Sequence, residues 1–165
     1  MKHLILMRHV SSPHPAGVDD HDRPIDANGR RDAALVAERL VELGWVPPTV
    51  VCSDARRTRQ TWKALETGLE GDFDVTYTDD LYAADVDAIC EVLWGLADGV
   101  DEVLLVGHNP GFSDTTSWLT GVRTYMPKGA AALMTAAGDT WTEAIRRNHA
   151  SLEEFIRPKA LHGRS

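Results

Sequence analysis

Short apolar runs alternate with amphipathic stretches along most of this chain. The first run, HLILM (residues 3–7), is apolar throughout and bounded by charge, the pattern of a strand covered on both faces. A polar loop from Ser11 to about Asn28 follows. RRDAALVAERLVELG (30–44) then places Ala33, Val36, Ala37, Leu40 and Leu43 at helical spacing, with Gly44 as a stop. TVVC (49–52) reads as a second buried strand. SDARRTRQTWKALETGL (53–69) reads as a helix with Ser53 as N-cap and Ala55, Thr58, Trp62, Leu65 and Leu69 on one face. FDVTY (73–77) is a short third strand, and DVDAICEVLWGLA (85–97) a further amphipathic helix. DEVLLVG (101–107) is the fourth strand, with a short helix, FSDTTSWLTG (112–121), behind it.

Four strand–helix alternations imply right-handed crossovers and a mostly parallel sheet between helical layers. The last third has a less regular pattern. AALMTA (131–136) and DTWTEA (139–144) read as closing strands around a Gly138-Asp139 turn. SLEEFIRP (151–158) fits a strand, or part of a helix over 141–156.

The chain has 165 residues, 43% hydrophobic and 25% charged, which suits one soluble globular domain. A net charge of -8 argues against a nucleic-acid or anionic-membrane partner held by bulk electrostatics, but leaves room for a local arginine cluster. No stretch approaches a membrane span or a signal-peptide core, so a cytoplasmic location is expected. Cys52 and Cys90 form no CxxC pair and lie in apolar surroundings, as buried free thiols do.

Ligands of open parallel sheets sit beyond the carboxyl ends of the strands, and three such ends carry unusual residues. The first delivers Arg8 and His9. The second delivers Ser53 and the cluster Arg56, Arg57 and Arg59, and the fourth delivers His108 in GHNPG. Taken singly, each has a structural reading: a satisfied strand-end histidine, a solvated helix face, a turn shaped by Asn-Pro. Their coincidence at successive strand ends points to chemistry. No carboxylate adjoins either histidine, which disfavours a Ser-His-Asp triad, and no GxxxxGKS/T loop is present. Guanidinium forks match phosphate oxygens, and an unprotonated imidazole is a competent nucleophile. Phosphoryl transfer needs positioning and charge neutralisation, which arginines supply without a metal. The rival is a metal in the loop bearing His14, Asp19, Asp20, His21 and Asp22, which lacks ligand spacing. We therefore expect no metal and no cofactor.

At these residues the chain resembles the histidine phosphatase superfamily, and within it the SixA-like phosphohistidine phosphatase branch. LMRHVSS (6–12) is similar to that branch's Arg-His-Ala-Lys-Ser, with Val10 and Ser11 as departures. HDRPIDANGRRDA (21–33) is similar to its Asp-Arg-Pro-Leu segment and following Gly-Arg-Arg, and CSDARRTRQT (52–61) to its Ser-x-x-x-Arg-Ala-x-Gln-Thr, which singles out Arg57. LLVGHNPG (104–111) resembles the second-histidine motif, and FIRPKAL (155–161) the tail. The resemblance implies a single domain over residues 1–165, a phosphoglycerate mutase-like three-layer α/β/α sandwich, with the last segment a strand. It implies His9 as the nucleophile, with Arg8, Arg57 and His108 forming the phosphate pocket and Ser12 and Asn109 lining it. Arg57, facing Arg8, is expected to be unpaired in the free protein.

Two departures shape the functional expectation. Val10 stands where the family has a small residue, and a β-branched side chain there narrows backbone options. Related branches also carry a glutamate acid after the third strand, where YTDDLYAAD (77–85) offers only Asp80 or Asp85. An alkoxide leaving group needs a proton donor, and a protonated imidazole needs far less help. The segment before the next helix is also too short for a cap domain, which leaves a pocket open to a protein-borne phosphate. The expected activity is removal of phosphate from phosphohistidine on a protein. The alternatives are a broad-specificity phosphomonoesterase acting on small phosphoesters and a catalytically inactive phosphate-recognition module.

Overall fold

The computed structural model describes residues 1–163. Among the described residues six strands form one sheet. In chain order the elements are β1 (Lys2–Arg8), α1 (Ala27–Leu43), β2 (Thr49–Ser53), α2 (Arg56–Glu66), β3 (Asp74–Thr78) and α3 (Val86–Trp94). They continue with β4 (Glu102–Gly107), α4 (Gly111–Thr120), β5 (Ala131–Ala136), α5 (Trp141–Ala144), β6 (Ala150–Ile156) and α6 (Pro158–Leu161). The sheet order is β3-β2-β4-β1-β5-β6, and β1, β2, β4 and β5 are buried almost throughout. The first four of these strands pair in parallel, and β5 and β6 close one side antiparallel.

Because successive side chains point to opposite faces, β1 feeds both layers. Leu4 and Leu6 join the core under α3, α4 and α5, which includes Ile89, Leu93, Phe112, Leu119 and Trp141. Ile5 and Met7 join the core under α1, α2 and α6, with Val36, Leu40, Trp62, Leu65 and Leu161. The result is the expected three-layer sandwich. Residues 79–85 connect β3 to α3 with a single 3-10 turn, so no cap domain interrupts the fold. Among the described residues no helix is long and apolar enough to cross a membrane.

Helix ends follow local chemistry, with three differences from the sequence pattern. Asp26 accepts from the Gly29 amide at 2.8 Å and starts α1 at Ala27, inside the segment that reads as loop. Ser53 is not the N-cap of α2. That position is Ala55, whose side chain offers no cap, and Ser53 ends β2 with its hydroxyl turned elsewhere. DTWTEA is helical rather than extended. Thr140 accepts from the Glu143 amide at 3.1 Å, and Glu143 accepts from the Asp139 amide at 2.9 Å. These two bonds form a near capping box. Trp141 and Ala144, three apart, bury together as one helical turn allows. The final apolar segment is a strand, β6. Cys52 and Cys90 are free and buried, and burial pushes their thiols up to about 12 and about 11.

Candidate active site

The strand register sets the site. Arg8 of β1 lies opposite Gly107 of β4, so the two residues that follow, His9 and His108, leave the sheet side by side. Their ring centroids are 5.5 Å apart. The His9 backbone is pinned on both sides, its amide donating to Gly107 at 3.0 Å and its carbonyl accepting from Gly129 at 2.8 Å. Beyond β4 the turn to α4 is tight. A side chain on Gly107 would collide with the Phe112 ring, and one on Gly111 with the Ala84 carbonyl.

Each histidine is fixed through one ring nitrogen. His9 Nδ1 lies 2.8 Å from the Val10 carbonyl and must donate to it, which leaves Nε2 with its lone pair free. Burial, followed by the nearby His108, Arg57 and Arg8, lowers the His9 pKa to about 3, so the ring is neutral at physiological pH. His108 Nε2 lies 2.7 Å from the Ser53 hydroxyl, which also sits 3.4 Å from the Ala55 amide. Ser53 accepts from that amide, and in the tautomer where it donates to His108 the imidazole proton sits on Nδ1. Burial, then Arg57, lowers the His108 pKa to about 4.

Both arginines are tethered from behind. Arg8 Nη1 donates to the Met126 carbonyl at 3.1 Å and to the Tyr125 hydroxyl at 3.3 Å. Arg57 Nη1 donates to the Asp20 carbonyl at 2.7 Å, and its Nη2 reaches the Asp20 carboxylate at 3.1 Å. The expectation of an unpaired Arg57 is therefore incorrect: the loop after β1 folds back and supplies an anion. What the tethers leave open is informative. Arg8 Nε, Arg57 Nε and His108 Nδ1 are buried without a hydrogen-bond partner among the described residues. Buried polar groups are normally satisfied, and these three, close to one neutral imidazole, could meet an anion with several acceptor oxygens.

A family model described as the histidine phosphatase superfamily (branch 1) matches residues 4–93, more than half of the chain. The chain belongs to the histidine phosphatase superfamily. It is 35% identical over 154 residues to an uncharacterized chloroplastic protein of Arabidopsis thaliana, covering 87% of this chain and 71% of that protein. A solved structure from Nakamurella multipartitia, assigned as the phosphohistidine phosphatase SixA, is 30% identical. It has a TM-score of 0.81, with 95% and 96% of the two chains covered. The protein histidine phosphatase SixA complexed with tungstate gives a TM-score of 0.83 at 22% identity, covering 96% and 99%.

Within this histidine phosphatase, the structure gathers Arg8, His9, Arg57 and His108 at one sheet edge. Of the arginine cluster only Arg57 turns inward. Arg56 is exposed, and Arg59 lies over the Tyr77 ring at 4.8 Å. The other candidates serve the frame. The Ser12 hydroxyl donates to the Pro24 carbonyl at 2.6 Å. Asn109 donates to the Met126 carbonyl at 2.8 Å and accepts from Ser113, bracing the same loop that tethers Arg8. Asp85 caps α3 through the Ala88 amide, and Asp80 lines a surface groove with Ala88, Glu91 and Val92. Neither is directed to the histidines by these contacts.

Tyr82, absent from the sequence reading, and Asp20, weighed there only as part of a rival metal loop, also reach the site. Tyr82 packs edge-on against His108, with ring centroids 5.5 Å apart, and donates to the Asp20 carboxylate. Asp20 also accepts from Arg23 at 2.9 Å. With Tyr82, Arg23 and Arg57 all favouring its charged form, Asp20 is held ionised far below the usual carboxylate range. In the acid-rich loop weighed as a rival metal site, Asp20, His14 and His21 each meet protein partners. His14 accepts from Arg23, and His21 pairs with Asp54 at 2.9 Å. Val10 fits without crowding the pocket, because its methyls fill space left by Gly29 and Gly129, where a Cβ would come within 2.8 Å and 3.3 Å of them.

Proposed function

We propose that this protein removes the phosphoryl group from phosphohistidine on a protein, through a phosphohistidine intermediate on His9. The observation that carries the reading is the set of buried, unpartnered donors around a neutral His9: Arg8 Nε, Arg57 Nε and His108 Nδ1. In the proposed reaction His9 Nε2 attacks phosphorus in line. The N–P bond to the substrate imidazole breaks as the new N–P bond forms. The three donors take the phosphoryl oxygens, whose charge they neutralise without reorganising. Water then attacks the phosphoenzyme, releasing orthophosphate and neutral His9.

The leaving group argues for a phosphoramidate. The carboxylate that acts on His108, Asp20, is held ionised and occupied by Arg57, Arg23 and Tyr82, which makes it a poor proton donor. An alkoxide would leave without help at a large cost, whereas a phosphohistidine ring, with an imidazole pKa of about 6.5, takes a proton from solvent in part near neutral pH and then leaves as neutral imidazole. The uncapped edge of the sheet suits a phosphate carried on a folded partner.

The test compares rates on a phosphohistidine-bearing protein, a phosphoserine peptide and a sugar phosphate. Phosphohistidine should be turned over at least about a hundredfold faster, a difference of about 2.7 kcal/mol in barrier. Equal efficiency on an alkyl phosphomonoester would replace this reading with a broad-specificity phosphomonoesterase. No turnover of any of the three, with phosphate still bound, would indicate a recognition module.

A further inference from the structure

A groove of about 620 Å³ opens directly beside the phosphate cradle and shares one residue with it, Arg8. Its lining includes Arg8, Lys128, Arg157 and Lys159 against a single carboxylate, Asp32. That balance runs against the composition of the chain, which has 25 acidic and 17 basic residues. Asp32 is already engaged, 2.7 Å from His162. Lys128, Arg157 and Lys159 are exposed, and among the described residues none forms an ion pair. Tyr125 stands at the junction, 69% exposed, with its hydroxyl on Arg8.

We propose that this groove docks an acidic segment of the protein that carries the phosphohistidine. The inference rests on the phosphoprotein reading above and extends it from the phosphoryl group to the surface around it. Unpaired like charges along one groove repel one another and gain most from an oppositely charged partner. A cationic wall contiguous with the site would steer an acidic protein face so that its phosphohistidine arrives at His9. An exposed tyrosine at the entrance offers the amphipathic contact typical of protein interfaces. The acidic remainder of the surface would repel the same partner elsewhere, which makes this groove the favoured approach.

The variant Lys128→Gln/Arg157→Gln/Lys159→Gln removes the wall without touching the cradle. On a phosphohistidine protein with an acidic flank, KM should rise about tenfold or more with kcat within about twofold, and the salt dependence of kcat/KM should flatten. On free phosphohistidine, kcat/KM should stay within about twofold of wild type. A second arm measures binding of a fluorescent glutamate-rich peptide at low salt, where wild type should bind at least about tenfold more tightly than the variant. Equal peptide affinity, or equal losses on both substrates, would overturn the docking groove. Loss of affinity for a small bisphosphate but not for the peptide would overturn it too, in favour of a small-ligand subsite. If wild type turns over no phosphohistidine protein but peptide binding still depends on the three cations, the phosphoprotein reading fails while acidic-segment docking stands.

Discussion

Asp20→Asn tests the idea that Arg57 works because its far side is anchored. Asparagine keeps the shape and the main-chain carbonyl that Arg57 Nη1 uses, but replaces a carboxylate that accepts from Arg57, Arg23 and Tyr82. The Asp20 side chain is 54% exposed, so each of its two ion pairs is valued as a surface pair, at most about 1 kcal/mol. Stability should therefore fall by about 1–2 kcal/mol, read by urea titration. Because the Asp20 pKa is depressed, this stabilisation is present above the ordinary carboxylate pKa of about 4 and is lost as pH falls below it. The variant should lack that acid-side loss. Freeing one of the two Arg57 tethers should lower kcat/KM on phosphohistidine about tenfold, less than the roughly 3 kcal/mol expected for Arg57→Ala. The deciding measurement is the double mutant. If Asp20 acts through Arg57, adding Asp20→Asn to Arg57→Ala costs nothing further in kcat/KM. Full additivity, or full activity of Asp20→Asn, refutes the anchoring argument, and a gain in activity would mean that Asp20 competes with the phosphoryl group.

Three further outcomes follow from the same geometry. His9→Ala should abolish turnover, and rapid quenching of wild type should trap an acid-labile, base-stable phosphoenzyme; label recovered on serine would contradict a histidine nucleophile. His9 and His108, lowered to about 3 and about 4 when folded, cannot follow the unfolded chain as it takes up protons near pH 6.5. Stability should thus fall as pH drops from about 6.5 towards 4, by about 2 kcal/mol per histidine at pH 5. In His108→Gln that slope should be roughly halved, as checked by denaturant melts at pH 7 and pH 5. Val10→Ala should cost about 2 kcal/mol of stability through the cavity it opens beside Gly29 and Gly129, with kcat/KM nearly unchanged; a large kinetic effect with no stability loss would show that Val10 shapes the pocket instead.

The parallel half of the fold is legible in the sequence because β1, β2 and β4 are short, doubly buried runs that tolerate no other period. Arg8, His9 and His108 stand out for the same reason, as polar residues where a buried strand ends. Arg57 does not emerge from spacing, since Arg56 and Arg59 share its turn of α2; the family resemblance selects it, and burial in the structure agrees. The α5 segment is misread because four residues are too few to establish a period, although Trp141 and Ala144 are spaced for a helical turn, and the decisive signal is the Thr140–Glu143 cap. Tyr82 escapes a search of residues 77–85 confined to carboxylates. Asp20 escapes because its partners come from α2 and from the turn after β3, a tertiary coincidence that no local pattern encodes. Ser53 is read as a helix cap when its hydroxyl instead bonds to the ring of a histidine 55 positions away.

The placement of the two thiols has a redox consequence. Peroxide attacks thiolates, and accessible cysteines of low pKa are the ones it oxidises. Here Cys52 and Cys90, the only cysteines of the chain, are buried with pKa values of about 12 and about 11, and the proposed phosphoryl carrier is a nitrogen. If the proposed function holds, an oxidative burst that silences phosphatases built on a cysteine nucleophile would leave this one working, so that phosphohistidine signals would keep decaying while thiol-dependent dephosphorylation stalls.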